Sequence, residues 1–82
     1  MNLLDDIANL EIFELVLLGE ECGYTADNRD DLETLQGIFM DVVDKSDIKY
    51  GNVYEVFFAL KDTIAEKWLK TIGVFSCSDS LT

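Results

Sequence analysis

The chain of 82 residues carries 17 acids against six bases, for a net charge of −11, and has no histidine and no proline, yet 49% of its residues are apolar. That length allows one domain with a thin core, because so short a chain withdraws only about 60–65% of its unfolded surface from water. The apolar share argues against disorder along the whole chain, the missing histidine removes the commonest general base, and the missing proline leaves little of the turn punctuation of an all-β fold.

From Leu3 to Cys22 no single helical register holds: Leu3, Leu4 and Ile7 define a face that would carry Glu11 and Glu14 in its middle. A short helix, a break near Asn9 and a second helix are predicted, with Asn9 as the N-cap of the second. Within that helix Ile12, Phe13, Val16 and Leu17 form the inward face, and Glu11, Glu14 and Glu21 point to water. Gly23 reads as the residue that ends it, with Tyr24 folding back on Leu18. A polar loop, residues 25–29, leads to Asp30-Asp31-Leu32-Glu33, where Asp30 as N-cap and Glu33 three residues on resemble a capping box. Leu32, Leu35, Ile38, Phe39, Val42 and Val43 then keep the period of an amphipathic helix ending near Asp44. Gly37 inside it suggests close approach of another backbone.

Residues 45–51 form a connection in which Asp47 to Tyr50 could be a short extended piece. Asn52 caps the last helix, which runs to a stop at Gly73 and pairs Glu66 with Lys70 at i, i+4. It spans about 20 residues, or roughly 30 Å. Val53, Val56, Phe57, Leu60, Ile64 and Trp68 give its main apolar stripe. A second stripe, Tyr54, Phe58, Ala65, Leu69 and Ile72, lies about 100° further round, which is wide for an outer helix. Either this helix is central, with the others and Val74-Phe75 wrapped around it, or the second stripe contacts another chain. The expected fold is all-α: a small three- to four-helix bundle with a long C-terminal helix, a single helical domain over 1–75 and a frayed tail over 76–82.

Chemistry is sparse. Without histidine, Ser-His and Cys-His nucleophile arrangements and most zinc sites are excluded. Cys22 and Cys77 have no CxxC spacing, and Glu20 and Glu21 would raise the Cys22 pKa by repelling a thiolate. The window from Asp44 to Glu55 has the length of a calcium loop, but Lys49 stands where that loop needs glycine and Ile48 where it needs an oxygen ligand. Adjacent carboxylates such as Asp5-Asp6 and Asp30-Asp31 would need a deep sugar-binding cleft to work as a glycosidase pair, which a thin core rarely builds. No enzyme activity, cofactor or metal is expected.

The charge is uneven. Residues 1–44 hold twelve acids and one base, Arg29, whereas the remainder balances five acids with five bases. Such a field repels phosphate and anionic lipid and attracts cationic surfaces, so neither direct nucleic-acid binding nor membrane binding is expected. No apolar run approaches the about 20 residues a bilayer span needs, and the opening segment lacks the positive region of a secretory signal, so a cytoplasmic protein is expected. Glu11, Glu14, Glu20, Glu21, Asp27, Asp30, Asp31 and Glu33 are the candidate acidic face for a basic partner, plausibly the nucleic-acid groove of an enzyme or effector complex. Phage anti-defence inhibitors, anti-CRISPR proteins among them, and bacterial immunity proteins share this composition in general terms. The alternative is a structural or adaptor subunit that homodimerises or docks in a larger assembly through Tyr54, Phe58, Leu69 and Ile72, its acids serving only solubility.

Overall fold

The computed structural model describes residues 2–73, and these form four helices and no strand: α1 Leu3–Ala8, α2 Ile12–Glu21, α3 Arg29–Ser46 and α4 Val53–Ile72. The longest is the C-terminal one, as expected. Val74-Phe75, Cys77 and the tail expected to fray lie outside the described residues.

The break between α1 and α2 falls at Asn9, but its role is the reverse of the one expected. Asn9 closes α1: its backbone N–H and its side-chain Nδ2 both donate to the Asp5 carbonyl. The N-cap of α2 is Glu11, whose N–H donates to Glu14 Oε2 at 3.4 Å. A glutamate beats the asparagine here because the carboxylate one turn in can reach back to the cap. Gln36 of α3 completes the junction, donating through Nε2 to the carbonyls of Ile7 at 2.8 Å and Ala8 at 3.2 Å. Two C-terminal carbonyls of α1 that have no partner within their own helix are thereby satisfied.

The end of α2 follows the expected design. Gly23 takes φ +93°, its N–H donates to Glu20 O, and the Tyr24 N–H donates to Gly19 O, the paired bonds of a Schellman turn. The partner of Tyr24 is not the expected Leu18 but Trp68, which its ring meets edge-on at 5.8 Å. The start of α3 lies earlier than expected: Asn28, not Asp30, is the N-cap, its Oδ1 accepting from the Asp31 N–H at 2.9 Å. The helix also runs past Asp44 to Ser46 and stops where Asp47 adopts φ 70°. The expected extended piece over 47–50 is reduced to one backbone bond, Leu3 N–H to Lys49 O. Asn52 caps α4 as expected, accepting from the N–H groups of Tyr54 and Glu55, and Glu66 meets Lys70 at 3.3 Å.

α3 and α4 run antiparallel and pack along each other, the start of α3 meeting the end of α4. Phe39 packs edge-on against Phe57 at 5.2 Å, and Trp68 Nε1 donates to the Asp31 carbonyl at 2.8 Å. Each of these helices also touches α1 and α2, so the core lies where all four meet. It is built from Leu3, Ile7, Leu15, Leu18, Leu32, Leu35, Phe39, Val42, Val43, Phe57, Ile64 and Trp68, with Leu69 at its edge. Among the described residues no charged or polar side chain is buried in it. The α3 stripe read from spacing is the buried one, Ile38 being half-buried.

The close approach expected at Gly37 falls elsewhere. A Cβ on Gly37 would meet nothing within 4 Å, so that position faces open space and marks no close approach. The close approach is at Gly19, where a Cβ would stand 2.9 Å from Trp68 Cη2 and 3.2 Å from the Tyr24 carbonyl. The indole is the bulkiest side chain of the core, and it fits because α2 has no side chain there.

Candidate partner-binding face

The inward face of α2 differs from the one expected. Leu15, Leu18 and Gly19 are buried, while Phe13 is 64% exposed, Leu17 52% and Ile12 38%. The apolar residues from Ile12 to Leu18 surround most of the helix, so spacing alone admits two registers. Packing selects the one that brings Gly19 against Trp68. Phe13 and Leu17, about 40° apart at helical spacing, are left as an apolar ridge on the outer surface.

Carboxylates flank that ridge. On the helical wheel Glu14 and Glu21 lie along one side and Glu20 along the other. Glu14 joins α2 to α4: one oxygen accepts from the Glu11 N–H, and the other accepts from the Tyr54 hydroxyl at 2.6 Å. That hydrogen bond, followed by a small desolvation and the Glu14 charge, raises the Tyr54 pKa above its ordinary value. Beyond Tyr54, one turn along α4, Phe58 is 51% exposed and touches the buried Phe57 edge-on. Lys61 places its Nζ 5.7 Å from the Phe58 ring centroid. Glu55 and Asp62 follow on the outer flank of α4, both exposed. The surface therefore alternates: Glu20, the Phe13-Leu17 ridge, the Glu14-Glu21 line, the Tyr54-Phe58 ridge, then Asp62 and Glu55.

The second stripe of α4 is thus open only in part. Tyr54 is 39% exposed, but Leu69 is 9% exposed and belongs to the core, and Ile72 is half-buried against it. These last two are used by the fold and present no free face. Nor do the eight acidic candidates form one patch. Glu11 caps α2, Glu14, Glu20 and Glu21 share its outer side, and Asp27, Asp30, Asp31 and Glu33 lie on the loop and first turn of α3, against the opposite flank of α2. In that second group Glu33 pairs with Arg29 at 3.6 Å, and Asp31 gives its carbonyl to Trp68. Shallow grooves of about 380 and 430 Å³ lie on either side of Ile12 and Arg29, both wide open to solvent.

Cys22 is half-buried, and its thiol is pushed up to about 11. Burial is the main cause and Lys61 opposes it; of the two neighbouring acids expected to raise it, Glu21 does so as the smallest of the three causes. An unreactive thiol follows. Among the described residues no three cysteine, aspartate or glutamate side chains gather to hold a metal, and no helix is long and apolar enough to cross a membrane. Compared with known proteins, the chain matches no family model, no curated protein and no solved structure.

Sequence reasoning missed Phe13 and Leu17 because it assigned them to the core. The signal that could have found them is the alternative stripe Leu15, Leu18 and Cys22, spaced i, i+3, i+7 and ending beside the one small residue of the helix, Gly19.

Proposed function

We propose that this four-helix bundle is a cytoplasmic protein-binding inhibitor that occludes a basic surface of a partner, such as the nucleic-acid groove of an enzyme or effector complex. The single observation that carries the reading is the Phe13-Leu17 ridge held in water between Glu14 and Glu21 on one side and Glu20 on the other. Carboxylates in that position raise the rate of encounter with a cationic surface, and exposed apolar side chains slow the release. A face meant only for solubility would carry the acids without the ridge. The general likeness to phage anti-defence and immunity proteins is one of size, charge and helix content, and no motif supports it.

The competing reading, a homodimerising or adaptor subunit, draws on the exposure of Tyr54 and Phe58. A two-fold pairing through this face would bring two copies of the same acidic surface, with its Glu14, Glu20 and Glu21, against each other, and like charge on both sides opposes association. Sedimentation at high protein concentration separates the two: a monomer favours the inhibitor reading, and a dimer abolished by Phe58→Ser favours the adaptor.

The direct test starts from a partner captured in the cell that makes the protein. The partner's nucleic-acid binding is titrated with the purified chain at about 50 and 500 mM salt. Competition that weakens at least tenfold at the higher salt is expected, since screening acts on a carboxylate-led contact. Affinity independent of salt, or a partner that binds nucleic acid and inhibitor together, would remove the proposal.

A further inference from the structure

Resting on the basic-surface reading, we infer that the segment this face takes is rich in arginine and not merely in positive charge. The face alternates rings with carboxylates. Phe13 stands beside Glu14 in sequence, the Tyr54 hydroxyl bonds Glu14 at 2.6 Å, and Phe58 lies one turn further along α4. Phe13 and Phe58 are more than half exposed; Phe58 already carries Lys61 over its ring, so an incoming cation displaces Lys61 there, whereas Phe13 carries no such contact among the described residues. The chain's own cation shows the contact that such a surface makes, because the Lys61 ammonium already sits 5.7 Å from the Phe58 ring.

Arginine meets both halves of this pattern at once. Its planar guanidinium stacks on a ring, and its five N–H donors fork onto a carboxylate in fixed geometry. A lysine ammonium is compact and strongly hydrated, and it satisfies the carboxylate but gains less from the ring. Glu14 is held in place by its bonds to Glu11 and Tyr54, so it meets an incoming fork with little further ordering. Arginine, together with lysine, contacts phosphate in nucleic-acid-binding proteins, so an arginine-rich segment accords with the proposed groove.

The test uses the full chain and two fluorescent peptides, nine arginines and nine lysines, titrated at about 50 mM salt. The arginine peptide is expected to bind at least fivefold more tightly. In the double variant F13L/F58L, which keeps apolar bulk but removes both rings, that preference is expected to fall below twofold while binding of the lysine peptide is unchanged. Circular dichroism of the variant confirms that it is folded, and Phe13→Leu alone serves if the pair disturbs the Phe57 contact. Equal affinity for the two peptides in the wild type, or a preference that survives loss of the rings, overturns the inference and leaves the basic-surface reading intact. If neither peptide binds, both fall.

Discussion

The α3–α4 pair and the α2 helix spend their apolar residues in opposite ways. Along α3 the apolar positions recur at helical spacing and nearly all are buried, meeting α4 through Phe39, Phe57 and Trp68. Along α2 apolar residues surround most of the helix, and Ile12, Phe13 and Leu17 remain in water. In the first region removal of an apolar group should be felt as lost stability; in the second it should not. A fold that needed only to be stable would place polar residues at 13 and 17.

The largest expected effect tests the buried side. Trp68→Ala empties the centre of the core and removes the donor to Asp31, at a cost of about 3–5 kcal/mol. A domain of this size has a total stability on the order of 4–12 kcal/mol, so a urea midpoint followed by circular dichroism should fall by at least about a quarter. Next comes Gly19→Val, which drives a branched side chain into Trp68 and should cost about 1–3 kcal/mol in the same measurement, more than Gly37→Val on the open face of α3. Gln36→Leu strips the clasp on the end of α1, taking the protein donor from the Ala8 carbonyl and leaving the Ile7 carbonyl with the Leu10 N–H alone, for about 1–2 kcal/mol. Amide exchange should show that loss concentrated in α1.

At the seam between the regions, Cys22 gives a pH signature. Its thiol ionises at about 11 when folded against 9.0 in the ordinary case, so between these values the folded state holds a proton that the unfolded state has lost. Stability from this group is full below pH 9.0 and is lost as pH rises towards about 11. Cys22→Ala should flatten that part of the stability profile, measured by urea titration at several pH values in a Cys77→Ser background. The smallest effect sharpens the contrast most: Phe13→Ser with Leu17→Ser should change the unfolding free energy by no more than about 0.5 kcal/mol, since neither side chain is in the core. A loss above about 2 kcal/mol would mean that the ridge is structural after all.

How far each region was legible follows from the same contrast. The α3 stripe has a single period and acids on its other faces, and it was read correctly from Leu32 to Val43. The Asn52 cap and the Gly23 and Gly73 stops were legible because few residue types suit those backbone positions. The face of α2 was not, because apolar residues on most sides leave the register to tertiary packing, here the fit of Trp68 against Gly19. Asn9 and Asp30 were misassigned for a smaller reason: several cap-forming residues stand close together, and local chemistry does not rank them. Gln36 carried no local signal, since its partners lie 28 and 29 residues away.

The position of Trp68 has a practical consequence. It is the chain's one tryptophan and is shielded from solvent, so its emission should be blue in the native protein and should shift to the red on unfolding. The outer ridge of α2 lies on the other side of that helix from the indole. A ligand seated on the ridge would leave the emission colour nearly unchanged, while denaturation would alter it fully. The molecule therefore carries a built-in optical gauge that separates occupancy from integrity, and needs no label to read the second.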